Sequence, residues 1–105
     1  GPEIALFLAR SYQETGDLDA AINSYSSVWS TPEAPVRLSA FAIKTWMELL
    51  WNRNKPDDRK VTVQSGQRYL DATRPLVGKM AAEESALWKE IEKLVQTYST
   101  DPSVQ

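Results

Sequence analysis

Three residues, Thr15-Gly16-Asp17, separate two stretches whose apolar side chains recur at helical spacing, and so short a link leaves the two helices only an antiparallel, face-to-face arrangement. The first stretch, Glu3 to Glu14, sets Ile4, Leu8 and Tyr12 four apart, with Leu6, Phe7 and Ala9 widening them into an apolar face that the hairpin is expected to bury. The second, Leu18 to Trp29, places Leu18, Ala21, Ile22, Tyr25, Val28 and Trp29 on one side and Asp19, Asn23, Ser26 and Ser27 on the other. Gly16 supplies a residue that enters the left-handed region at low cost and so ends the first helix. Asp17 supplies a carboxylate for the free N–H groups that begin the second.

Beyond the break at Ser30 to Pro35, a third helix is expected from Val36 to Arg53, apolar on nearly every side through Val36, Leu38, Ala40, Phe41, Ile43, Trp46, Met47, Leu50 and Trp51. Pro35 disfavours helical geometry at Ala34, which fixes where that helix starts. Asn54 to Asp58 ends it, and Asp57 or Asp58 is expected to cap a fourth helix running to about Thr73, with Val63, Gly66, Tyr69, Leu70 and Thr73 facing inward. A glycine inside a helix costs about 1 kcal/mol against alanine, so Gly66 points to close packing there. Arg74 to Lys79 reads as a loop. The fifth helix, Met80 to Ser99, carries Leu87, Ile91, Leu94, Val95 and Tyr98 at i, i+4, i+7, i+8 and i+11, and residues 100–105 read as a flexible tail. The pattern is all-α, about five helices.

The chain has 105 residues, 42% of them hydrophobic and 25% charged, which fits one folded domain over residues 3–99. Gly1-Pro2 reads as the scar of a cleaved purification tag, so the chain is expected to be an excised piece of a longer one. With 12 basic and 14 acidic residues and a net charge of −2, there is no basic stripe to displace counterions from a nucleic acid, nor a patch for an anionic membrane surface. Uncharged apolar runs such as Leu38 to Ile43 are far shorter than the roughly 20 residues that span a bilayer. Cysteine and histidine are both absent, which removes thiol nucleophiles, imidazole bases and the common transition-metal ligands. No catalytic residue, metal site or cofactor is therefore expected. Cysteine absence fits a reducing or an oxidising compartment equally and leaves the location unknown. The acidic pairs Asp57-Asp58 and Glu83-Glu84 have a simpler account than acid–base chemistry, as helix caps and as acids beside a positive helix start.

One helical hairpin cannot bury its apolar surface alone, which makes a repeat of roughly 34 residues worth seeking. The run Leu8-Ala9-x-x-Tyr12-x-x-x-Gly16-Asp17-Leu18-x-x-Ala21-Ile22-x-x-Tyr25-x-x-Val28 resembles a tetratricopeptide repeat (TPR). In that likeness Ala9 and Ala21 let the two helices approach, while Leu8, Tyr12, Ile22 and Tyr25 fill the space around the contact. The chain departs from the family pattern at Ala5, where an aromatic is usual, at Val28, where an alanine is, and at Pro32, which arrives about one residue early. Residues 3–35 are then a first repeat. Residues 36–75 echo it only in part, through Leu38, Phe41, Ala42 and Thr45 and then Gly66 and Leu70. Residues 80–99 are similar to the amphipathic helix that closes such arrays.

The resemblance implies antiparallel hairpins stacked as a right-handed superhelix with a concave groove for a protein or peptide partner. Carried onto this chain, the groove candidates are Leu6, Arg10 and Gln13 from the first helix and Ser39, Ile43 and Trp46 from the third. The Lys and Asn with which some members clamp a terminal carboxylate are replaced here by Leu6 and Arg10, so that clamp is missing. Trp29 and Trp46 are expected in the core. Trp51 and Trp88, beside a helix end or off the main stripe, are candidates for an exposed interface. A protein-binding scaffold is the leading expectation; a self-associating module, forming a homo-oligomer, and a helical accessory region of a larger enzyme are the alternatives.

Overall fold

The computed structural model describes all 105 residues and is entirely helical, with five α-helices, two short 3-10 segments and no strand. The helices are α1 (Pro2–Glu14), α2 (Leu18–Trp29), α3 (Val36–Arg53), α4 (Asp58–Thr73) and α5 (Ala82–Ser99). The 3-10 segments are Arg74–Lys79 and Pro102–Val104. The chain divides into two compact units, Gly1–Leu49 and Leu50–Gln105, with the division falling inside α3. No helix is long and apolar enough to cross a membrane.

In the first unit, the turn between α1 and α2 is closed by backbone bonds, joined by the Thr15 hydroxyl at the Ser11 and Tyr12 carbonyls. Gly16 takes φ +82°, its N–H donates to the Gln13 carbonyl at 3.2 Å, and the Asp17 N–H reaches back to the Tyr12 carbonyl at 2.9 Å. This is the paired ending that a left-handed glycine permits, and it satisfies two carbonyls that α1 would otherwise leave open. The Asp17 side chain then accepts the Ala20 N–H at 3.2 Å and caps α2. Both roles follow the sequence. Ala9 and Ala21 are completely buried, as close approach of two helices demands, and Ile22, Tyr25 and Val28 fill the α2 side. At the far end of α2 the hydroxyls of Ser30 and Thr31 donate to the Ser26 and Ser27 carbonyls, both at 2.6 Å, in place of a basic residue. The Pro35 carbonyl accepts from Leu38 and Ser39 and so opens α3. Within this unit Trp29 meets Trp46 edge to face at 5.0 Å, and Phe41 lies 6.5 Å from Tyr25.

In the second unit, the turn between α3 and α4 uses two left-handed residues, Asn54 (φ 51°) and Asp57 (φ 70°). Neither aspartate caps α4 with its side chain as the sequence suggests. Asp57 holds the cap position without a side-chain bond. Asp58 turns back instead, because Arg53 offers it a stronger, charged partner: Nε to Oδ2 at 2.8 Å and Nη2 to Oδ1 at 2.9 Å, joined by the Lys55 N–H at 2.9 Å. The inward face of α4 also shifts from expectation. Thr62, Ser65, Gly66, Tyr69 and Leu70 are buried, whereas Val63 and Thr73 are only half-buried. Thr62 tolerates full burial because its hydroxyl donates to the Asp58 carbonyl at 2.7 Å.

The expected loop after α4 winds into the 3-10 segment Arg74–Lys79, and α5 begins at Ala82, two residues later than its periodicity suggests. Glu84 explains that start: its carboxylate accepts the Ala81 N–H at 2.9 Å, while Ala81 has no side chain with which to reciprocate. Trp88, Ile91 and Val95 form the buried row of α5, and Leu87, Leu94 and Tyr98 flank it half-buried. Residues 100–105, expected to fray, instead make a short turn. Asp101 accepts the Ser103 N–H and hydroxyl, and the Arg59 guanidinium donates to the same hydroxyl at 3.0 Å.

Candidate functional site

The residues expected to line a groove do not share one exposed surface. On α1, Arg10 and Gln13 are exposed and Leu6 is half-buried. Arg10 sits 4.8 Å above the Phe41 ring, and Gln13 Oε1 accepts the Tyr25 hydroxyl at 2.6 Å. Both side chains therefore hold the first unit together as much as they face outward. Burial pushes the Tyr25 hydroxyl above its ordinary pKa, against the opposing pull of Arg10, which keeps it protonated as the donor to Gln13. On α3, Ser39, Ile43 and Trp46 are all buried, contrary to their place in the expected groove. The reason is local: α3 is apolar on so many sides that residues assigned to its outer face are drawn into packing.

The two tryptophans proposed as an exposed interface are buried as well. Trp51 stacks on Tyr98 with ring centres 3.9 Å apart and planes within 4°, and the Arg59 guanidinium covers its ring at 4.3 Å. Trp88 donates its indole N–H to the Thr73 hydroxyl at 2.7 Å while Arg74 lies 5.1 Å above its ring. Their large apolar areas are used inside the second unit, each with a cation as its cover.

What the sequence assigned to the interior lies outside. Ile4 is 65% exposed and Phe7 69%, and Leu8, Tyr12 and Leu18 are between 37 and 43%. The first four fall at i, i+3, i+4 and i+8 of α1, one continuous stripe on the face away from Ala9. Ser11, the one polar residue inside it, donates its hydroxyl to the Phe7 carbonyl at 3.0 Å, so it asks nothing of a partner. No charged residue of α1 interrupts the stripe: Glu3, Arg10 and Glu14 fall to its side at 100° per residue. The cause of the inversion is that α1 packs through its small residues. Ala9 is buried and Ala5 half-buried, and a side chain as large as Leu8 at the helix contact would force α1 and α2 apart. Leaving a side chain such as Phe7 or Ile4 in water forgoes about 1.5 to 3 kcal/mol of burial. Scattered apolar residues on a surface are ordinary, whereas a continuous stripe of them is not.

The remaining surface offers less. A depression of about 290 Å³ beside the α3–α4 turn is lined by Lys55, Asp57, Arg59, Lys60 and Ser103 among others. Its guanidinium is already engaged, donating to the Trp51 carbonyl at 3.1 Å and to Ser103. One member of each acidic pair has a structural duty: Asp58 is held by Arg53, and Glu84 receives the Ala81 N–H. Compared with protein-family models, curated proteins and solved structures, the chain matches none.

Proposed function

We propose that this chain is a non-catalytic, TPR-like helical module that holds another protein, and that it does so by laying an apolar helical segment of the partner on the outward face of α1. The observation that carries the reading is the uncharged stripe of Ile4, Phe7, Leu8 and Tyr12. A face of this kind suits the helix-in-groove mode, in which an amphipathic helix is read through anchors at i, i+3, i+4 and i+7. The TPR likeness of the first hairpin, with its glycine-aspartate turn and its buried Ala9 and Ala21, agrees with a role in holding proteins. The groove reading itself loses Ser39, Ile43 and Trp46, which are buried, and leaves Arg10 to the side of the apolar stripe and Gln13 on the opposite side of α1, where it accepts the Tyr25 hydroxyl.

Absence of cysteine and histidine, together with the structural engagement of Asp58 and Glu84, supports the non-catalytic part. The test is selection from a displayed library of helical peptides. Enriched sequences are expected to share apolar anchors at helical spacing and to lose binding to a Phe7→Glu chain by tenfold or more. Enriched peptides indifferent to Phe7→Glu, or no enrichment at all, would overturn the assignment.

A further inference from the structure

We propose that Ser103 is a phosphorylation site, and that the depression beside the α3–α4 turn receives its phosphate. The site lies wholly within the second unit and is separate from the α1 stripe. Hydroxyls elsewhere on this chain are commonly spent on nearby backbone: those of Ser11, Ser27, Ser30, Ser99 and Thr100 each donate to a carbonyl three or four residues back. Ser103 is different. Its Oγ accepts from the Arg59 guanidinium at 3.0 Å, so it already faces a cation, and it donates to the Asp101 carboxylate at 2.6 Å. The residue is exposed on a three-residue 3-10 turn, Pro102–Val104. A turn with so few bonds to break can lift into the cleft of a modifying enzyme.

The depression holds about 290 Å³, several times the roughly 30 Å³ that a water occupies in the liquid, so a phosphoryl group fits with water around it. Ser103 shares its wall with Lys55, Arg59 and Lys60, against the Asp57 carboxylate. Asp58 is already neutralised by Arg53. With Asp101 counted, three cations stand against two carboxylates around the Ser103 hydroxyl, a balance that favours an added anion. In the transfer, Ser103 Oγ bonds to the γ-phosphorus of a nucleoside triphosphate while its proton passes to a base of the kinase, and the bond from that phosphorus to the β,γ-bridging oxygen breaks to release the diphosphate. A phosphoserine carries a charge of about −1.5 to −2 and three acceptor oxygens. Its ester oxygen has no proton to give, so the bond to Asp101 is lost and the two anions repel. Arg59 instead gains charged acceptors, whose hydrogen bonds are about twice as strong as those of a neutral hydroxyl. The phosphate therefore turns from Asp101 toward the cations of the depression and ties the C-terminal turn to α4 by charge.

The test compares the full chain with one carrying genetically encoded phosphoserine at position 103. Followed by phosphorus-31 resonance, the phosphate is expected to lose its second proton below about pH 5.5, against an ordinary value of about 6, because Lys55, Arg59 and Lys60 favour the dianion more than Asp57 and Asp101 oppose it. Arg59→Met is expected to return it to the ordinary value, and Lys60→Gln, which leaves the Arg59 bonds in place, to move it part of the way. Amide exchange of residues 101–104 is expected to slow about threefold or more on modification, and not in the Arg59→Met chain. Circular dichroism shows that each variant is folded. Incubation of the unmodified chain with adenosine triphosphate and a panel of purified serine kinases, mapped by mass spectrometry, tests access, with phosphate expected on Ser103 ahead of Ser27 and Ser99. A phosphate that titrates at about 6 or above, exchange that is unchanged or faster, or a panel that leaves Ser103 unmodified would each overturn the proposal.

Discussion

Replacing Asp58 by asparagine isolates the interaction that holds the α3–α4 turn, because the change keeps the side chain's shape and removes its charge. The carboxylate accepts three hydrogen bonds, two from the Arg53 guanidinium at 2.8 and 2.9 Å and one from the Lys55 N–H at 2.9 Å. An amide has one oxygen to offer, so its NH2 group faces donors, and Arg53 loses the charged acceptor that Asp58 supplied. Breaking a fully buried pair costs about 3 to 5 kcal/mol. The Arg53 side chain is 22% exposed, and water recovers part of that loss. The expected destabilisation is therefore about 2 to 3 kcal/mol, a fall in Tm of roughly 10 to 20 °C for a chain of this size. Urea unfolding followed by tryptophan fluorescence measures it, with an unchanged slope showing that the denatured state is the same.

The pH dependence adds an independent check. Hydrogen bonds from Arg53, outweighing the desolvation that opposes them, hold the Asp58 carboxyl below its ordinary range. The folded state thus binds fewer protons than the unfolded chain at acid pH. The stabilisation is complete above the unfolded carboxylate value of about 4 and is lost as pH falls through the lower folded value. The difference between the native and Asp58→Asn chains should shrink over that interval. A difference below about 0.5 kcal/mol at neutral pH, or one that does not change with acid, would refute the reasoning.

Two tryptophan substitutions of equal volume change should differ. Trp88→Phe loses the bond to Thr73, whereas Trp29→Phe removes an indole N–H that is buried with no acceptor, so unfolding by urea should show Trp88→Phe costing about 2 kcal/mol more. Gly16→Ala is expected to destabilise the first hairpin by about 1 kcal/mol through backbone strain alone, since a Cβ there meets nothing within 4 Å, and Gly16→Asn should cost less on the same thermal melts. Arg59→Met removes the bonds to the Trp51 carbonyl and to Ser103 together, so amides of residues 101–104 should exchange faster with solvent while those of α5 stay protected.

The elements were legible from the sequence wherever local chemistry decided them. Gly16 and Asp17 end one helix and start the next through bonds to residues within five positions, and α2, α3 and the end of α4 follow the periodicity. What periodicity does not reveal is which of two apolar faces a helix contact selects. On α1 the row of Ile4, Leu8 and Tyr12 is the more hydrophobic, yet the row of Ala5 and Ala9 packs, because closeness of backbones outweighs side-chain bulk at that contact. The clue was present in the small residues at Ala9 and Ala21, which require that nothing large stand between them. Trp88 escaped for the same reason in reverse: its row with Ile91 and Val95 is buried although Leu87 and Leu94 mark a stronger stripe. Asp58 was misplaced because its partner, Arg53, competes with the helix start for the same carboxylate.

The outward face of α1 is proposed as the surface through which this chain works. Nuclear magnetic resonance of the isotopically labelled chain, titrated with a peptide enriched in the selection described above, tests it most directly. The largest shifts are expected on Ile4, Phe7, Leu8, Ser11 and Tyr12. Shifts centred on Leu6, Arg10 and Gln13, or on residues 50–105, with the stripe unmoved, would contradict it.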